Sequence, residues 1–133
     1  MPRMGTWSAE PFGNDTAADW AYELDDAPDW SVVGEALRVA AETVPSDLDS
    51  DDAVTAIAAA QVVARGLGRV TASAESVDAF VARVSRPSPE MVALAVSALA
   101  AATSDEGELA DLWEGDPDWI AENEKLRAAL TTD

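Results

Sequence analysis

Along the chain, apolar residues return at intervals of three and four, interrupted about every twenty residues by proline, glycine or clustered aspartates. That period puts a stripe on one face of a helix, and the strict alternation of half-buried strands is nearly absent. After a glycine- and proline-punctuated opening over residues 1–13, Asn14 can cap a helix through about Ala27, with Asp15 in its first turn against the positive helix end. Pro28 ends it. A second helix, capped by Asp29 or Ser31, is predicted to about Val44, because Val33, Leu37, Ala40, Ala41 and Val44 share a stripe. Pro45 stops that one. A third runs from Ser50 or Asp51 to Arg65, carrying Val54, Ile57, Ala58, Gln61 and Val62 on one side, and Gly66 and Gly68 supply a left-handed exit.

Ser73 begins a short fourth helix with Val77, Phe80, Val81 and Val84 inward, stopped before Pro87 by the restriction proline places on its predecessor. Ser88 followed by Pro89 is a cap plus first-turn proline and starts a fifth helix to about Thr103. Met91, Val92, Leu94, Ala95, Val96, Ala98 and Leu99 make this helix apolar nearly all round, which predicts that it is the central, most buried one. Two shorter helices follow: Glu106 to Glu114, grouping Leu109, Leu112 and Trp113, and one restarted at Asp116-Pro117 that places Trp119, Ile120, Asn123, Leu126, Ala129 and Leu130 inward. No internal repeat or interdomain linker interrupts the pattern. The expectation is one all-α domain over residues 1–133, a compact bundle of about six helices preceded by an irregular, turn-rich segment at 1–13.

Composition narrows the chemistry. With neither cysteine nor histidine among 133 residues, there is no disulfide, thiolate nucleophile or zinc-thiolate site, and the usual general base near neutral pH is missing. A non-enzymatic protein without a cofactor is expected. The net charge of −18 repels phosphates and anionic membranes and favours a basic protein surface as partner, not direct contact with nucleic acid or membrane. Charge is also polarised: Arg65, Arg69, Arg83 and Arg86 against Glu75 and Asp78 give residues 65–86 a net +2 and leave −20 elsewhere. A competing origin of the acidity is genome composition or salt adaptation, which the excess of arginine over lysine and the abundant alanine and aspartate would also reflect. The opening residues lack the apolar core of a signal peptide, and Met91 to Ala102 is too short to span a bilayer, so a cytoplasmic protein is expected.

Asp15, Asp19, Glu23 and Asp26 recur at spacings of four, four and three with no basic residue between them, so they form one acidic ridge. Like charges at that spacing each cost a few tenths of a kcal/mol. The ridge reads first as a solvated face; otherwise the arginine-rich segment packs nearby and offsets it, or a basic partner uses it. Asp47, Asp49 and Asp51 stand at the first, third and fifth positions of a calcium-loop pattern, but the glycine of its sixth position is Asp52 and the closing glutamate of its twelfth is Ala58. That loop is therefore only a weak metal alternative, and the main expectation is no metal site but a solvated loop whose Ser50 or Asp51 caps the third helix. Among five tryptophans, Trp20 with Leu24 and Trp113 with Leu109 read as core contacts, whereas Trp7 and Trp30 lie in turn or helix-start contexts suited to partial exposure and partner contact.

The opening stretch "GTWSAEPFGNDTAADWAYEL" resembles the bacterial family catalogued as domain-of-unknown-function 4259, through Gly5, Thr6, Trp7, Pro11, Phe12, Asn14, Asp15, Asp19 and Trp20. Ser8 replaces the family's usual glycine, Glu10 stands where small residues are common, and Gly13 where an acid is frequent. The C-terminal "LADLWEGDPDWIAENEKLRAAL" is similar to that family's tryptophan-bearing, leucine-rich end. The resemblance implies a helical fold and no assigned activity, and it suggests Met4 as the usual starting methionine. The reading that follows is an acidic interaction module of immunity-protein or inhibitor type. The alternatives are a DNA mimic that blocks a nucleic-acid-binding protein, and a metal-dependent hydrolase built on carboxylates.

Overall fold

Proline and capping side chains divide the chain as the pattern predicts. The computed structural model describes residues 15–69 and 75–131. Seven α-helices are present among them: α1 (Asp15–Ala21), α2 (Ser31–Glu42), α3 (Ser50–Gly66), α4 (Glu75–Arg83), α5 (Pro89–Ala102), α6 (Glu108–Trp113) and α7 (Pro117–Thr131). The described residues contain no strand, so the fold is all-α. The expected cap at Ser73 lies outside the described residues.

Side chains set the helix starts by satisfying amide donors that have no partner inside the helix. Ser88 accepts from Met91 N at 3.1 Å, and Pro89 occupies the first turn where its missing N–H costs nothing. Asp116 accepts from the amides of Asp118 and Trp119 at 2.9 and 3.1 Å. For α3 the cap is Asp49, whose carboxylate accepts from Asp52 N at 2.8 Å, and not Ser50 or Asp51 as expected from the sequence. Asp49 is extended, which a cap requires, whereas Ser50 and Asp51 are already helical.

Two further expectations need correction. The first helix does not remain α-helical to Ala27: after Ala21 it tightens into a 3-10 turn over Tyr22–Asp26, because Ala27, the residue before Pro28, is held extended. The most buried helix is α3, not α5. From Ala53 to Ala64 every α3 side chain except that of Thr55 is buried, and α3 packs on α1, α2, α4, α5, α6 and α7. Its alanines are the reason, since small side chains let helices approach from all sides. The larger apolar residues of α5 cover a flank, and Met91, Val92, Leu94 and Val96 are only half-buried.

The core also draws on Leu24, Leu37, Phe80, Leu109 and Leu126, all at most 2 % exposed, each contributing about 1.5–3 kcal/mol on burial. Trp113 and Trp119 stack at 5.8 Å with rings 7° from parallel, joining α6 to α7. Val44, Leu112 and Ile120, expected to face inward, are exposed. Val44 lies beyond the end of α2, and in α6 the core side is taken by Leu109 and Trp113, four residues apart, with Leu112 outside it. Gly68 leaves α3 at φ +76°, the left-handed exit its position suggested. No helix among the described residues is long and apolar enough to cross a membrane.

Candidate functional site

Asp19, Glu23 and Asp26 are exposed, and no ion pair among the described residues engages them. Trp7 and the side chain of Asp15 lie outside the described residues. The switch from α to 3-10 geometry changes the ridge: side chains three apart eclipse in a 3-10 turn, so Glu23 stacks beneath Asp26 while Asp19 sits a turn earlier on α1.

The arginine-rich segment does pack close by, but among the described residues its cations form no ion pair with Asp19, Glu23 or Asp26. Arg83 donates to the main-chain oxygens of Leu24, Asp25 and Ala27 at the end of the 3-10 turn and lies over the Phe80 ring at 5.6 Å. Oxygens left open at a helix end carry partial negative charge, and a cation there is stabilising. Arg65 meets Asp78 at 3.0 Å, so it pairs with the acid of its own segment.

Beside the ridge, α1, α2 and α3 enclose a groove of about 230 Å³. Glu23, Glu35 and Asp52 bring three carboxylates to it, and Trp20, Val32, Ala36 and Val39 supply the apolar surface between them. Trp20 belongs to the core, as the sequence predicts, and also lines the groove, whereas the sequence pattern does not single out Glu35 or Asp52. One local signal was present: Val32, Glu35, Ala36 and Val39 fall at three, four and seven residues from the first, a second stripe on α2 beside the core stripe. Asp52 is brought alongside only by the packing of α3 on α2 and α1.

The carboxyl of Asp52 is held above its ordinary pKa, first by burial and then by the charges of Asp49 and Asp51. Asp29 is shifted the other way. It accepts hydrogen bonds from the side chain and amide of Ser31, which favour the ionised form. The Asp47–Asp51 stretch divides its work: Asp47 ends a 3-10 turn, Asp49 caps α3, and Asp51 receives the Thr16 hydroxyl at 3.4 Å. Among the described residues no group of three acidic side chains converges on a position for a metal ion.

Trp30 is half-buried and committed to the protein itself. Its indole N–H donates to Ser85 O at 2.8 Å, its ring meets Phe80 edge-on at 5.1 Å, and Gly66 lies directly against it. Among the described residues, Trp20 is the tryptophan that lines the groove with Glu23, Glu35 and Asp52.

Comparison with known families matches residues 5–125 to one described as "Domain of unknown function (DUF4259)". No curated protein matches the chain, and no solved structure matches it.

Proposed function

We propose that this chain, which belongs to the DUF4259 family, is a non-enzymatic acidic interaction module of inhibitor or immunity-protein type that docks a basic surface of another protein. The observation that carries this reading is the groove in which Glu23, Glu35 and Asp52 surround the apolar surface of Trp20, Val32 and Val39. A lysine or arginine side chain has the complementary build, with an aliphatic stem for the tryptophan and valines and a cationic head for the carboxylates. The upward shift of Asp52 fits the same reading. A carboxyl penalised for ionising in the free protein is relieved when a cation arrives. The net charge of −18 would steer a basic partner from a distance and disfavour acidic competitors.

The test is capture of partners from the native host with the wild-type chain and with a Glu23→Gln, Glu35→Gln, Asp52→Asn variant, followed by association kinetics for each captured protein. A genuine partner is lost by the triple variant, and its association rate falls on the order of tenfold or more from low to high salt. A partner whose rate ignores both salt and the three substitutions would refute the proposal. DNA is then added as competitor. Exclusion of the chain by DNA would make the partner a nucleic-acid-binding protein whose phosphate site the carboxylates imitate, and simultaneous binding would dismiss that version.

A further inference from the structure

A second cavity, of about 290 Å³, lies between α5, α6 and α7 and shares no residue with the acidic groove. Leu99, Trp119 and Ile120 give it apolar walls. Charged residues of both signs line it too: Asp105 from the connection before α6, and Glu124 and Arg127 from α7. All three are exposed, and none makes an ion pair or side-chain hydrogen bond among the described residues. Glu124 and Arg127 stand three residues apart on α7, a spacing that puts Cβ atoms about 5–6 Å from each other. Glu122 and Lys125 have the same spacing on the same helix and close at 3.0 Å. At the cavity, by contrast, two opposite charges stand side by side without pairing.

The chemistry of an occupant follows from what each class of molecule leaves unmatched. A hydrocarbon meets the apolar walls and none of the charges. A cation meets Asp105 and Glu124 but faces Arg127, and an anion meets Arg127 but faces two carboxylates in a chain of net charge −18. A zwitterion matches both signs. In an α-amino acid one carbon bears both the ammonium and the carboxylate, which suits an acid and a base at neighbouring positions of α7. A guanidinium, moreover, can hold a carboxylate through two parallel N–H donors. The side chain of the amino acid would then cover Leu99, Trp119 and Ile120. The volume sits near the lower end of ligand cavities, which suits one branched aliphatic chain or one ring. We propose that this cavity binds a free α-amino acid with a large apolar side chain, its carboxylate on Arg127 and its ammonium on Glu124 and Asp105.

The test uses the full, isotopically labelled chain, with two-dimensional NMR following the Trp119 indole N–H and the Ile120 amide. L-Phenylalanine, phenethylamine and 3-phenylpropionate share one ring and carry both charges, the cation alone and the anion alone, while glycine carries both charges without the ring. L-Phenylalanine is expected to shift both signals saturably, with the other three binding about fivefold or more weakly, since each lacks one ion pair or the apolar contact. Arg127→Gln should weaken L-phenylalanine about fivefold and leave phenethylamine bound at least as tightly as before. Arg127 is exposed, where a substitution leaves the fold intact, and Ala100→Phe, at another exposed position of the lining, tests the same site by filling it. The proposal is overturned if L-phenylalanine fails to shift these signals, if any other probe equals it, or if either folded variant binds L-phenylalanine as well as the wild type does. Because the cavity and the acidic groove share no residue, neither result bears on docking at the groove.

Discussion

Arg83 donates its guanidinium to the main-chain oxygen of Ala27 at 2.9 Å, across 56 residues of sequence, and meets the oxygens of Leu24 and Asp25 with the same nitrogen. One cation on α4 thereby closes the open end of the 3-10 turn that carries Glu23 and Asp26. Arg83→Met keeps much of the stem and removes the donors, and the expected loss is about 1–2 kcal/mol of stability in urea unfolding. Arg83→Lys should recover less than half of it, because an ammonium is more strongly hydrated than a guanidinium and loses more on leaving water for the same three oxygens. Full recovery by lysine would show that charge, and not directed hydrogen bonding, is what the turn needs.

Gly66 marks a close approach that any side chain would disturb. A Cβ there would stand 2.9 Å from the Trp30 ring and 3.0 Å from Pro87 Cδ, and neither group is the free end of a flexible chain. Gly66→Ala is therefore expected to cost about 1–3 kcal/mol as overpacking, despite alanine's better helix propensity. Because the Trp30 indole is bonded to Ser85, its displacement should appear in the near-ultraviolet circular dichroism of the variant. An unchanged spectrum with raised stability would mean that Trp30 yields freely.

The helices were legible because their ends are written in single residues. Ser88 with Pro89, and Asp116 with Pro117, fix where α5 and α7 begin by local capping chemistry that needs no tertiary information. The ranking of burial was not legible in the same way. Hydropathy favoured α5 for its leucine, valine and methionine, yet α3 occupies the centre because Ala53, Ala56, Ala58, Ala59, Ala60 and Ala64 allow contact on every side, and small size carries little weight on a hydropathy scale. The acidic ridge was visible as a spacing, but the groove was not. Trp20, Glu35 and Asp52 meet through packing between three helices, and only the second stripe on α2 hinted at it. The destination of Arg83 was equally hidden, since main-chain carbonyls leave no mark in a sequence.

Asp52 gives a pH dependence with a definite sign. Its folded pKa is raised, so the folded state holds this proton more tightly than the unfolded chain does. Ionised Asp52 therefore works against folding above its folded pKa, and that penalty fades as the pH falls below the unfolded value. Asp52→Asn resembles the neutral form at every pH. The stability difference, variant minus wild type, should be most favourable to the variant near neutrality and shrink through the acidic carboxylate range. Thermal midpoints of both proteins from pH 7 down to about pH 3 measure it. Asp29 should run oppositely: its pKa is lowered by Ser31, so the stability it supplies is present above the unfolded value and is lost as the pH falls through the folded one. A difference for Asp52→Asn that grows toward acid would contradict the placement of Asp52 beside Asp49 and Asp51.

Asn123 shows what a buried donor without an acceptor costs. Leucine repeats asparagine's branch of four side-chain heavy atoms with more bulk, and Asn123→Leu removes the unpartnered donor while adding apolar contact beside Leu99 and Trp119. Removing a buried donor that has no acceptor is expected to stabilise the empty protein by ~1 kcal/mol, a rise of roughly 2–6 °C in thermal midpoint for a chain of this size. A residue kept for packing alone would show the reverse, with leucine neutral or harmful.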